Sequence, residues 1–163
     1  MKDGTAIKDF HDRVAVITGA ASGLGRSLAL QLYADGARLA LCDVDMPGLE
    51  ETLHLPGDTG QKVSLHSVNV AERDRIPEFA AEVLSQHGQA DILVNNAGDS
   101  LTPMPFNEIP ADRFDKVLSI NMWGSIMASA PSYCICAPGR RRASSTSPAW
   151  RVWSGCTATR HTA

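Results

Sequence analysis

The sequence predicts an α/β fold, a doubly wound parallel sheet that is truncated after about four strands. Three observations carry this. Short runs of apolar and β-branched residues alternate with helical stretches through residues 10–126, the signature of strand–helix–strand units. The strands end in glycine-rich or asparagine-rich turns instead of tight hairpins. The alternation then stops near residue 126, where the composition changes abruptly.

The first strand is Arg13-Val14-Ala15-Val16-Ile17-Thr18, bounded by Gly19 and apolar enough to be buried on both faces. A helix follows over 24–33, with Leu24, Leu28, Leu32 and Tyr33 among its apolar positions, and Asp35-Gly36 ends it in the left-handed style. The second strand, 38–42, stops at Asp43. Residues 46–54 read as a short helix and Pro56-Gly57 as a turn. Lys62 to Val70 is the third strand, Ala71 to His87 a charged amphipathic helix ended by Gly88, and Ile92-Leu93-Val94 the fourth strand. Residues 111–125 return to helix. The expected strand order is 3-2-1-4, which leaves the fourth strand with an open edge.

Length and composition narrow the function. At 163 residues, 44% hydrophobic and 20% charged, the chain suits one packed domain and not a disordered one. No apolar run approaches a membrane span, so no membrane association is expected. The opening residues MKDGTAIKDFHDR hold no apolar core of a secretory signal. Four cysteines without such a signal point to a reducing, cytoplasmic setting. A net charge of −3 excludes a globally basic nucleic-acid binder. No metal site is expected.

The candidate chemistry lies at the strand ends. Thr18-Gly19-Ala20-Ala21-Ser22-Gly23-Leu24-Gly25 joins the first strand to the first helix. Gly19 permits the tight turn, Gly23 lets backbone approach a pyrophosphate, and Gly25 lets the helix pack close to the sheet. The helix N-terminus then presents free N–H groups and a positive dipole end to phosphates. Asp43 stands at the end of the second strand, 18 residues past Gly25, where a carboxylate accepts hydrogen bonds from a ribose diol. These features predict dinucleotide binding; the alternatives are a plain glycine-rich turn and a solvated loop acid. Asp43 would repel a 2′-phosphate, and no Lys or Arg follows it directly, so NAD is favoured over NADP. Arg26, next to Gly25, keeps NADP open.

The spacing Thr-Gly-x-x-x-Gly-x-Gly resembles that of the short-chain dehydrogenase/reductase family, whose domain is a Rossmann fold. Further motifs follow in the family's order. Asn95-Asn96-Ala97-Gly98 resembles its Asn-Asn-Ala-Gly motif after the fourth strand, which implies cofactor contacts for Asn96, Ala97 and Gly98. Asn69-Val70 stands where the family has Asp-Val beside the adenine. The resemblance also places Ser22, Leu24 and Val44 at the cofactor. Phe114-Asp115-Lys116-Val117 leading to Asn121-Met122-Trp123-Gly124 resembles the segment that carries the family's active-site asparagine. Asn121 is thereby implied to hold a water in a proton relay; its alternative is a capping or kink residue. The implied activity is hydride transfer between NAD(P) and a small secondary alcohol or ketone, with a homo-oligomer as the full-length parent. Ser100 to Phe106 would line part of the substrate pocket, and its apolar character hints at an uncharged substrate.

The family's Ser, Tyr and Lys are absent from this chain. No lysine follows Lys116, and the only later tyrosine, Tyr133, has Ala137 four residues on. Ten basic and 18 acidic residues give residues 1–126 a charge of −8, whereas five arginines and no acid give 127–163 a charge of +5. Three of the four cysteines also fall in that tail, so its origin needs an account separate from the rest. Reverse translation supplies one. Read one base out of register, the codons for Ala143 to Thr162 can spell a strand ending in Ser-Ser followed by a tyrosine, the missing family segment. A frameshift near codon 126 is therefore expected. It divides the chain into an incomplete NAD(P)-binding domain, 1–126, and an out-of-frame or disordered tail, 127–163. The alternatives are an evolved basic tail on a non-catalytic nucleotide-binding fragment, a scaffold that binds no cofactor, and a Cys134-x-Cys136 metal half-site.

Overall fold

The computed structural model describes residues 10–54, 60–129, 150–154 and 157–161. The chain runs through β1 (Val14–Thr18), α1 (Gly23–Ala34), β2 (Arg38–Asp43), α2 (Met46–His54), β3 (Val63–Ser67), α3 (Arg75–His87) and β4 (Ile92–Asn95). A short 3-10 turn, Phe106–Glu108, precedes α4 (Ala111–Leu118). A π-helical turn, Ser119–Gly124, leads into α5 (Ser125–Ser129), and β5 (Trp150–Ser154) and β6 (Thr157–His161) follow.

The first four strands form the parallel sheet that their alternation with helices predicts, in the order β3-β2-β1-β4. β1 is buried along its whole length, as its unbroken apolar run requires. Successive strand residues point to opposite faces, so the sheet feeds two cores. Ala15, Ile17, Leu39 and Leu41 pack on one face with Leu32, Tyr33 and Leu49 of α1 and α2. Val16, Ala40, Cys42 and Leu93 pack on the other with Ile76, Phe79 and Val83 of α3 and Ala128 of α5.

The sheet does not stop at four strands, which corrects the expectation of an open β4 edge and of a tail without strands. β5 pairs parallel with β4, Val94 opposite Trp153, and β6 pairs antiparallel with β5. An edge strand presents unpaired N–H and C=O groups, and a neighbouring segment rich in Trp, Val and Thr satisfies them. The helix of α4 and α5 likewise runs through residue 126, where the composition breaks. Tyr133, Cys134, Cys136 and the arginine run lie outside the described residues, as does the Pro56-Gly57 turn.

Two further boundaries differ from expectation. β3 ends at Ser67 instead of Val70, because Asn69 starts a turn: its side-chain Oδ1 accepts the Ala71 N–H at 3.1 Å and its carbonyl accepts the Glu72 N–H at 3.0 Å. α3 therefore begins at Arg75. The helix expected over 111–125 is interrupted by the π-helical turn that holds Asn121, a local geometry that recurs at functional sites. The predicted stops hold: Gly36 (φ 86°) and Gly88 (φ 76°) take the left-handed conformation after α1 and α3.

Candidate functional site

The carboxyl ends of β1, β2, β3 and β4 open onto one cleft of about 560 Å³, within the range of small-molecule sites. Its walls include Gly19, Ser22, Gly23, Leu24, Asp43, Val44, Asn69, Val70, Asn96, Ala97 and Gly98. Residues drawn from four separate stretches of sequence thus meet around a single volume. Gly25 lies just behind this wall. The sequence did not single out Val68, Asp99, Lys116 or Ile120, which complete the lining.

The turn after β1 works by close packing. A Cβ on Gly19 (φ 68°) would sit 2.8 Å from the Ala97 Cα. One on Gly25 would sit 2.1 Å from the Gly19 carbonyl oxygen and 2.5 Å from the Asn96 amide nitrogen. Both side chains are therefore excluded by backbone, and α1 starts hard against the end of β1. Ser22 takes an extended conformation at the N-cap without a side-chain bond to the helix. The first N–H groups of α1 have no intrahelical acceptor, and Gly23 and Leu24, which carry two of them, line the cleft.

Thr18 holds that turn to the turn after β4. Its Oγ1 accepts the N–H groups of Asn96 and Ala97, each at 3.0 Å, and donates to the Val94 carbonyl at 3.3 Å. The Asn96 side chain donates back to the carbonyls of Thr18 and Gly19, each at 3.0 Å. Thr18 is 3% exposed; the sequence shows it as the first residue of the glycine motif, but the bonds its hydroxyl makes to the turn after β4 are visible only in the fold.

Asp43 faces the same turn. Its Oδ2 accepts the Ala21 N–H at 3.0 Å and its Oδ1 the Asp45 N–H at 3.1 Å. Arg26 points elsewhere. Its guanidinium donates to the carbonyls of Ala21 and Gly48 and to Thr52 Oγ1, and pairs with Glu51 at 2.8 Å. It ties α1 to α2 through its Nε and Nη2. Cys42, fully buried beside Asp43, is held as a thiol: burial first, then the neighbouring carboxylate, pushes its pKa far up.

At the opposite end Asn121 grips one peptide unit pair. Its Oδ1 accepts the Asp99 N–H at 2.8 Å and its Nδ2 donates to the Asp99 carbonyl at 2.9 Å. The side chain is thus committed to positioning the segment after Gly98, and its own backbone carbonyl accepts the Ser125 hydroxyl at 3.2 Å. A water held by Asn121 would sit at that carbonyl and not at the amide. Lys116 pairs with Asp99 at 2.9 Å. The Lys116 hydrogen bond, then the Ser100 N–H, holds the Asp99 carboxyl below the usual carboxylate range. Met104 and Phe106 are 42% and 80% exposed, and Phe106 meets Phe114 edge to face at 6.2 Å instead of lining the cleft.

Among the described residues no group of His, Cys, Asp and Glu could hold a metal ion, and no helix is long and apolar enough to cross a membrane.

Comparison with known proteins follows the same outline. The profile of the short chain dehydrogenase family matches residues 13–133, past the composition break. Levodione reductase of Leifsonia aquatica is 36% identical over 71% of this chain and 44% of its own length. The CLA biosynthesis dehydrogenase/reductase of Lactiplantibacillus plantarum is 31% identical over 75% of this chain and 42% of its own. The chain thus spans less than half the length of these curated relatives. Among solved structures, levodione reductase aligns with a TM-score of 0.72 at 35% identity, covering 75% of this chain and 48% of that one. NAD+-bound xylitol dehydrogenase aligns at 0.70 and 29%, covering 74% and 46%. A metagenomic short-chain oxidoreductase in complex with NADP aligns at 0.70 and 30%, covering 74% and 54%.

Proposed function

The chain belongs to the short-chain dehydrogenase family, and from that premise we propose that its cleft binds NAD, in preference to NADP, for hydride exchange with a small secondary alcohol or ketone. The observation that carries the reading is the glycine turn held against Asn96 and Ala97, with Asp43 bonded to its Ala21 N–H at the same cleft. A bound nicotinamide would supply the hydride chemistry. Gly19, Ser22, Gly23 and Leu24, with Gly25 behind them, would hold the pyrophosphate by backbone N–H groups. Asp43 and Val44 would take the adenosine ribose, and Asn69 and Val70 the adenine. Asn96, Ala97 and Gly98 would form the wall toward the reacting end. Asp43 disfavours a 2′-phosphate by charge, and Arg26, next to Gly25, is turned to Thr52, Gly48 and Glu51 of α2.

Asn121 is the catalytic candidate of this chain, acting through a water at its carbonyl. It has no Tyr–Lys pair to relay to: no lysine follows Lys116. We read residues 127–163 as out of frame, the domain proper as 1–126, and turnover as crippled in this chain. The full-length parent is then a cytoplasmic homo-oligomer that acts without nucleic acid or membrane. The second reading, favoured by the same missing pair, is a non-catalytic nucleotide-binding fragment with a basic tail.

Calorimetric titration with NAD+ and NADP+ tests the core of this. NAD+ should bind more tightly than NADP+, and Gly19→Val should abolish both. Binding that survives Gly19→Val, or a preference for NADP+, would defeat the proposal. Resequencing the gene across the codons for Ile126 and Met127 decides the frame. An extra base there restores a longer dehydrogenase; an unchanged sequence leaves the fragment reading.

A further inference from the structure

A second polar cluster lies away from the cleft entrance, between β3 and α3 at the sheet edge. Ser64, His66 and His87 are 7%, 4% and 6% exposed. Ser64 Oγ lies 2.8 Å from His66 Nε2 and 2.8 Å from His87 Nε2. His66 Nδ1 lies 2.8 Å from Glu82 Oε2, and Arg75 holds the other Glu82 oxygen at 2.7 Å. His87 Nδ1 is buried and has no hydrogen-bond partner among the described residues.

Counting protons fixes the direction of every bond. The Glu82 carboxylate only accepts, so His66 carries its proton on Nδ1. With His66 neutral, its Nε2 accepts the Ser64 hydroxyl. Ser64 Oγ then accepts from His87 Nε2–H, and His87 Nδ1 is left bare. That is the one arrangement with both rings neutral in which each close contact is a bond. An added proton has no good place. On His87 it creates an Nδ1–H donor without an acceptor. On His66 it turns Nε2 into a donor, and either the Ser64 hydroxyl loses its acceptor or His87 must move its own proton to Nδ1. A buried donor is orphaned in each case.

The surroundings oppose a proton on His87 from several elements. Lys62, preceding β3, donates to the Gln86 carbonyl at 2.5 Å, and Arg38 of β2 donates to the His87 carbonyl at 3.2 Å. Cys42, opposite His66 in the β2–β3 register, stays a neutral thiol. Glu82 and Arg75 of α3 are engaged with each other. Burial, then Lys62, Arg38 and His66, pushes the His87 pKa down to about 4. Burial works to raise Glu82, but hydrogen bonds from His66 and Arg75 prevail and hold its carboxyl below the usual range.

We propose that Glu82, His66, Ser64 and His87 form a pH-sensitive latch that fastens β3 to α3 while both imidazoles are neutral and releases that edge on uptake of one proton. The edge runs directly into Val68, Asn69 and Val70, a wall of the cleft. Release therefore weakens dinucleotide binding, a consequence that rests on the reading of the cleft given above.

Hydrogen–deuterium exchange on the intact chain at about pH 7 and about pH 5, corrected for intrinsic exchange, reads the latch without any ligand. Protection in β3 and the second half of α3 should fall about tenfold at the lower pH while β1 keeps its protection. NAD+ affinity should hold nearly level between these two values and fall as the pH is taken on to about 4, where the folded latch itself takes up its proton. His87→Gln keeps a donor toward Ser64 but takes no proton, so both responses should vanish. If that variant does not fold, Ser64→Ala serves instead: it separates the rings, and their NMR titrations should become independent. Equal protection at both pH values, or a full response in His87→Gln, overturns the latch. A response in exchange with NAD+ affinity level at all three pH values overturns its coupling to the cleft. Absence of NAD+ binding at all three defeats the dinucleotide reading instead, and the exchange data still decide the latch.

Discussion

Thr18 shows how one hydroxyl can hold a site together. It is the acceptor for two N–H groups of the turn after β4 and a donor to Val94, while Asn96 bonds back to the turn after β1. Thr18→Val keeps the shape and removes all three bonds, leaving two N–H donors without their acceptor. The expected loss is about 2–3 kcal/mol of unfolding free energy, read as a lower urea midpoint with an unchanged slope. Thr18→Ser should recover most of it. A Val variant as stable as the parent would mean that water replaces the hydroxyl at no cost. The same scale explains Arg26. From sequence it was a possible phosphate ligand; in the fold its Nε and Nη2 are engaged by Ala21, Gly48, Thr52 and Glu51.

At the scale of elements, α4 is the informative one. It has no fully buried residue, and Phe114, Trp123 and Ile126 along the α4–α5 helix are exposed at 39%, 36% and 47%. It is fastened instead by polar contacts, the Asn121 grip on Asp99 and the Lys116–Asp99 pair. The Lys116 pair is exposed and of little value by itself. Asn121→Ala should therefore loosen the segment after Gly98 more than Lys116→Ala does, while costing only about 1 kcal/mol globally. Amide exchange at Asp99 and Ser100 measures this, and equal effects of the two variants would refute it. The π-helical turn is the means by which Asn121 reaches Asp99. The helical pattern over 111–125 does not show that turn, and only the alternative reading of Asn121 as a kink residue touches on it.

For the whole molecule, the buried histidine predicts how stability depends on pH. His87 has its pKa lowered from 6.5 to about 4 in the folded chain. Above pH 6.5 it is neutral in both states and contributes no pH dependence. As pH falls toward 4 the unfolded chain binds a proton that the folded chain refuses, so stability falls, by up to about 3 kcal/mol. Glu82, whose folded pKa is lowered, acts in the same direction at lower pH: its contribution is present above its usual range and is lost as pH falls through the folded value. Thermal melts between pH 7 and pH 4 should show a steady decline in Tm, and His87→Gln should flatten the upper part of it. A flat profile in the parent chain would contradict the burial of His87.

Periodicity and turn residues were enough to read the layered α/β order, the two-sided burial of β1, the stops at Gly36 and Gly88, and the turn in which side chains at Gly19 and Gly25 are excluded. These are local consequences: strand and helix periods, left-handed glycines and a strand–turn–helix succession are written in neighbouring residues. The cleft residues were legible only where spacing or a family motif pointed to them, as with Asp43 by spacing and Asn96 by motif. The contacts of Thr18, Lys116, Asp99 and the Ser64–His66–His87–Glu82 chain were not, because each acquires its partner from residues 16 to 79 positions away. The continuation of the sheet into β5 and β6 belongs to the same class. An edge accepts whichever strand can satisfy its backbone, and that choice is made in three dimensions, by hydrogen-bonding groups that a sequence pattern does not display.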